Sequence, residues 1–124
     1  MMDMDANDRL PRPLNDREAR MMGKLLESEF PGSKELARQA LALEGKELDD
    51  NGSLALFPSG EATPAAVEKR IPVEAEFSDE DGTTAHVLLH VVRGYLAELE
   101  IYREDSGRLL RPPDADDLRV AGSS

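Results

Sequence analysis

The sequence predicts an α+β domain, an N-terminal αα-hairpin packed on an antiparallel β-meander of three main strands plus a short hairpin. Three observations predict it. Apolar residues recur at helical spacing only before Leu43, the period changes to two from Lys46 onward, and the Asp81-Gly82 and Arg93-Gly94 pairs cut the second half into runs of strand length. A chain of 124 residues fits one domain, placed here at 14–120, between a disordered N-terminal segment at 1–13 and a disordered tail at 121–124.

Asn15 followed by Glu18 is a capping-box pattern that starts the first helix, and Ala19, Met22, Leu25, Leu26 and Phe30 form its apolar stripe. Pro31-Gly32 ends it. Ser33 caps a second helix over 34–43, with Leu36, Ala37, Ala40 and Leu41 on one face. Helices this short are marginal in water, so the rest of the chain has to cover their stripes. Asp50-Asn51-Gly52 turns Leu48 into the apolar run 54–57, a short hairpin, and 58–69 reads as loop.

Three strands follow, at 71–78, 85–92 and 95–103. Pro72 lacks an N–H and belongs at the start of its strand or on an edge, which makes 85–92 the central strand. With two-residue turns, Phe77 faces His86, Ala75 faces Leu88 and Leu88 faces Leu99, giving an apolar face for the helices. The opposite face then carries Val87, Leu89, Val91 and Leu96 as an aliphatic stripe, between Glu74 and Glu76 on one side and Glu98 and Glu100 on the other. A three-residue Glu80-Asp81-Gly82 loop would exchange faces in the first hairpin.

The formal charge of −11 is spread over most of the chain; residues 9–38 form the one net-basic helical stretch, and Lys69-Arg70 is a basic pair. Phosphate binding draws its affinity from Lys and Arg, so the balance argues against nucleic acid and anionic membrane as partners; a basic partner is allowed, although solubility alone can explain the charge. The chain has no cysteine and no Trp, which excludes disulfides, thiolate nucleophiles and Cys-ligated metal, and leaves little for base stacking. No apolar run reaches the ~20 residues of a membrane span and no secretory leader is legible, so the expected location is cytoplasmic.

The chemical constellations point the same way. His86 and His90 would share a metal on a helix, but on a strand they stand about 13 Å apart. Glu98 and Glu100, about 7 Å apart on one strand face, match the separation of paired acids in inverting glycosidases, without an aromatic sugar platform beside them. Asp79-Glu80-Asp81-Gly82 and Asp49-Asp50-Asn51-Gly52 lack the glycine and glutamate positions of a calcium loop and read as turns. No cofactor or metal is expected.

The segments Pro72-Val73-Glu74-Ala75-Glu76, His86-Val87-Leu88-Leu89-His90-Val91 and Gly94-Tyr95-Leu96-Ala97-Glu98-Leu99-Glu100-Ile101-Tyr102 and the closing Pro-Asp run resemble a family of small uncharacterised bacterial proteins. The Arg12-Pro13-Leu14 and Arg17-Glu18-Ala19 opening fits as well. The resemblance implies a stand-alone domain of unknown function. Some similar small α+β proteins look like immunity proteins that neutralise toxins, an analogy of fold that transfers no site residue.

The expected molecular role is that of a non-enzymatic protein-binding domain. Its surface is the striped, acidic sheet face of Glu74, Glu76, Val87, Leu89, Val91, Leu96, Glu98 and Glu100, and its partner a basic protein or a second copy. The competing class is an enzyme or metal-binding protein with a carboxylate site at Glu74, Glu76, Glu98 and Glu100.

Overall fold

A computed structural model describes residues 10–122. The order is β1 (Arg12–Pro13), α1 (Asp16–Leu26), α2 (Ser33–Ala40), β2 (Leu43–Glu47), β3 (Leu54–Pro58), β4 (Val73–Ser78), β5 (Thr84–Val92), β6 (Tyr95–Arg103), a 3-10 turn (Ala115–Asp117) and β7 (Arg119–Gly122). The strands form one antiparallel sheet in the order β1-β2-β3-β6-β5-β4-β7. The hairpin β2–β3 is therefore joined to the meander through β3 and β6. Among the described residues no helix is long and apolar enough to cross a membrane.

Helix α1 begins as its sequence dictates. The Asn15 side chain accepts from the Glu18 N–H at 2.8 Å, and Glu18 Oε1 accepts from the Asn15 N–H at 2.9 Å, so two orphan donors of the first turn are satisfied. The same Glu18 carboxylate takes two bonds from Arg12, at 2.7 and 3.0 Å. Burial pushes its pKa up, but the Arg12 and Asn15 hydrogen bonds and the nearby arginine charges outweigh that and hold it below the ordinary value. This pair anchors β1, whose Arg12 and Pro13 lie opposite Gly45 and Glu44.

The disordered lead-in predicted through residue 13 is thus corrected at its end, where Arg12 and Pro13 form an edge strand; residues 1–9 lie outside the described residues. The predicted tail is corrected too, since Ala121 and Gly122 pair with Glu74 and Val73; residues 123–124 lie outside the described residues. Helix α2 stops at Ala40 rather than 43, and its cap is Gly32 at φ 90°, not Ser33. The chain leaves the helix early because Leu43 is needed as the first residue of β2, opposite Pro58. Leu41, predicted on the buried stripe, is 86% exposed as a result, whereas Leu36 is fully buried.

Met21, Met22, Leu25 and Leu36 from the helices and Phe30 from the connection between them pack with Val73, Ala75, Phe77, Val87, Leu89, Leu99 and Ile101 from one face of the sheet. Buried Gln39 ties α2 to that sheet. Its Nε2 donates to Thr63 O at 2.8 Å and Gly94 O at 2.9 Å, and its Oε1 accepts from the Leu96 N–H at 2.9 Å.

Both hairpin registers differ by one residue from the expected ones. Ser78 pairs with Thr84 and Phe77 with Ala85, because the turn is the longer one in which Gly82 takes φ +85° and the Asp79 N–H bonds Thr83 O at 2.9 Å. In the second hairpin the two-residue Arg93-Gly94 turn forms as predicted, with Val92 opposite Tyr95 and Val91 opposite Leu96. A β-bulge then inserts Ala97, so that His90 pairs with Glu98 and Leu88 with Glu100. The two shifts together turn β5 over relative to its neighbours.

Candidate functional site: the open sheet face

That reversal decides which side chains meet solvent. Val87, Leu89, Val91 and Leu96, predicted as an exposed aliphatic stripe, are at most 4% exposed and lie in the core under the helices. They are corrected from surface to core residues. Glu74, Glu76, Glu98 and Glu100 do lie on the other face, which carries no helix among the described residues. The line between the two rows of glutamates is not aliphatic: it runs Thr84, His86, Leu88, His90, Val92 along β5, all partly buried.

Each residue on this face has a neighbour fixed by the register. Glu76 is paired with His86 and Glu74 with Leu88 on one side; Tyr102, Glu100 and Glu98 face His86, Leu88 and His90 on the other. His86 stacks on Tyr102 with ring centroids 5.1 Å apart, and its Nε2 lies 2.8 Å from Glu104 Oε1. His90 Nε2 lies 2.8 Å from Glu100 Oε1, diagonally across the strands. A carboxylate can only accept, so each imidazole donates from Nε2. Arg119 from β7 reaches Glu76 at 3.6 Å, while Glu74 and Glu98 make no ion pair or hydrogen bond among the described residues.

The four glutamates do not converge. Strand β5 runs between their rows, and two strand spacings put those rows about 10 Å apart. The two histidines likewise point to separate carboxylates, as expected of strand residues four apart. The structure instead brings together His90, Glu98 and Glu100, whose ligand-capable atoms all lie within 4.8 Å of one another. Sequence reasoning missed this group because it assigned His90 and the two glutamates to opposite faces.

The two acidic turns are tied up by the fold. Asp79, Asp81 and Asp105 close around the buried Arg103 guanidinium, with bonds of 2.9, 2.9 and 2.6 Å, so an arginine takes the place a cation would have in the calcium-like Asp79-to-Gly82 loop. Hydrogen bonds to Asp105 and Asp81 raise the Arg103 pKa against the opposing effect of burial. Asp105 is held at about 2 by Arg103 and by the Gly107 N–H. In the other turn, Asp49 Oδ1 accepts from the Asn51 and Ser53 N–H groups at 2.9 and 3.1 Å, which is turn chemistry as predicted. Concave surface occurs elsewhere, for example a groove of about 620 Å³ between the end of α2 and the β2–β3 hairpin, lined by Leu14, Leu41 and Phe57.

No curated protein and no solved structure is significantly similar to the chain. One family model matches residues 11–113, nearly the whole of the described fold from β1 to the approach to the 3-10 turn. The chain therefore belongs to the family described as a domain of unknown function, DUF6984.

Proposed function

We propose that this domain is a non-enzymatic binding protein that holds a basic, partly apolar protein partner on the open face of its sheet. The observation that carries the reading is the composition of that face: two rows of glutamates flank Leu88, Val92 and the stacked His86–Tyr102 pair, in a chain of formal charge −11. A partly apolar centre between two rows of glutamates is complementary to a basic partner, whose approach such a field accelerates and orients. The same field disfavours nucleic acid, anionic membrane and a second copy of the face itself, since like charges would meet. The glutamates stand in separated rows rather than converging on one point, which favours a recognition surface over an acid–base pair.

The test is crosslinked capture from native lysate with identification of what is held. The expected result is a basic protein whose capture weakens with added salt, is lost with Leu88→Lys or with Glu74→Lys combined with Glu98→Lys, and survives Glu27→Lys at the end of α1. An acidic partner, equal loss with Glu27→Lys, or capture indifferent to the open-face changes would reject the reading. So would self-association through this face in light scattering.

A further inference from the structure

We infer that His90, Glu98 and Glu100 form a binding site for a borderline divalent cation of the Zn²⁺ type. The inference concerns the isolated chain and does not depend on a protein partner. The bulge at Ala97 creates the site: it sets Glu98 directly opposite His90 and leaves Glu100 within reach diagonally, whereas an unbulged ladder would put both carboxylates on the face opposite to His90. The resulting donor set is one imidazole nitrogen and two carboxylates whose ligand atoms lie within 4.8 Å of one another. Donors at about 2.0–2.2 Å from one ion can lie at most about 4.4 Å apart, so the set closes on a single ion once the Glu98 carboxylate rotates inward toward the His90–Glu100 pair.

Two further features make this more than an acidic patch. Glu98 is partly buried, yet no hydrogen bond or ion pair among the described residues compensates its charge. And the His90 ring is held in one orientation: Nδ1 is sealed from water without a partner, so Nε2 is the nitrogen presented to the two carboxylates. Imidazole among the donors selects a Zn²⁺-like ion over Mg²⁺ or Ca²⁺, which favour all-oxygen ligands. On binding, the cation takes the place of the Nε2 hydrogen, and the neutral ring carries that hydrogen on Nδ1 instead. That nitrogen lacks the outer acceptor that metal-bound histidines usually have, which weakens the site by about 10- to 100-fold relative to one so supported. Open coordination positions remain on the solvent side for water.

Calorimetric titration of the full chain with ZnCl₂, and in parallel with MgCl₂, tests this. The expected result is saturable binding of one Zn²⁺ per chain, weakened at least about tenfold by His90→Ala and by the near-isosteric Glu98→Gln, unchanged by His86→Ala, and accompanied by a shift of the His90 Nε2 resonance in ¹⁵N NMR. Absence of saturable Zn²⁺ binding would overturn the inference. Equal affinity for Mg²⁺, or affinity that survives both His90→Ala and Glu98→Gln, would overturn it as well.

Discussion

Replacing Gln39 by Ala removes a polar link that fastens helix α2 to the sheet, and the structure allows its cost to be worked out. Three hydrogen bonds go, but their loss is unequal. Gly94 O keeps a second donor, the Ala65 N–H at 2.8 Å. Thr63 is an exposed residue, so water can replace the donor its carbonyl loses. The Leu96 N–H is different: it lies in the core next to the bulge, donates to Gln39 Oε1, and loses that acceptor where water cannot replace it. An orphaned buried donor costs about 1–3 kcal/mol, and the lost contacts of a fully packed side chain add to it, so about 2–4 kcal/mol is expected in total. Urea titration followed by far-UV circular dichroism reads this as a lower midpoint at unchanged slope. Amide exchange reads it locally as faster exchange at Leu96. A Gln39→Ala protein within about 0.5 kcal/mol of wild type, or one whose Leu96 amide stays protected, would refute the reasoning.

Three further outcomes follow from the same structure. Leu89→Ala, at a fully buried site, is expected to cost about 3–5 kcal/mol in urea titration, and Leu88→Ala, on the open face of the same strand, about 1 kcal/mol; the reverse order would restore the unbulged register. Lowering the pH should selectively weaken the Arg103 cluster. Asp105 is depressed to about 2 from the ordinary 3.8, and Asp79 and Asp81 are also lowered, so their stabilisation is full above about pH 4 and is lost toward pH 2. The gap in thermal midpoint between wild type and Arg103→Ala should close over that interval, and a constant gap would contradict the assignment. Gly94→Ala should destabilise the domain, since the backbone there is at φ +84° and a Cβ would stand 2.5 Å from Ala65 O; an unchanged thermal midpoint would refute this.

Local signals made part of this fold legible. Asn15 and Glu18 cap each other because a capping box involves only neighbouring residues, and Asp50-Asn51-Gly52 and Arg93-Gly94 turn where their backbone preferences demand. The face of β5 was not legible for a physical reason. Val87, Leu89 and Val91 are apolar in one phase and Leu88 and Val92 in the other, so alternation cannot choose between them. The choice falls to the Glu80-Asp81-Gly82 loop and to the Ala97 bulge, and nothing in the residues from Leu96 to Glu98 marks a bulge before the strands are paired. Edge strands β1 and β7 were missed because each is short and borrows its order from a partner distant in sequence. The four glutamates were placed on the open face, but the residues between them, and with them the His90–Glu98–Glu100 group, depended on the register.

Cross-strand nuclear Overhauser effects between β5 and β6 measure that register directly. The structure predicts proximity of His90 to Glu98 and of Leu88 to Glu100, changing to Val91 opposite Leu96 past the bulge. Contacts of His90 with Ala97 and of Leu88 with Leu99 would instead mean an unbroken ladder, with the histidines turned toward the helices and no open face of the kind described.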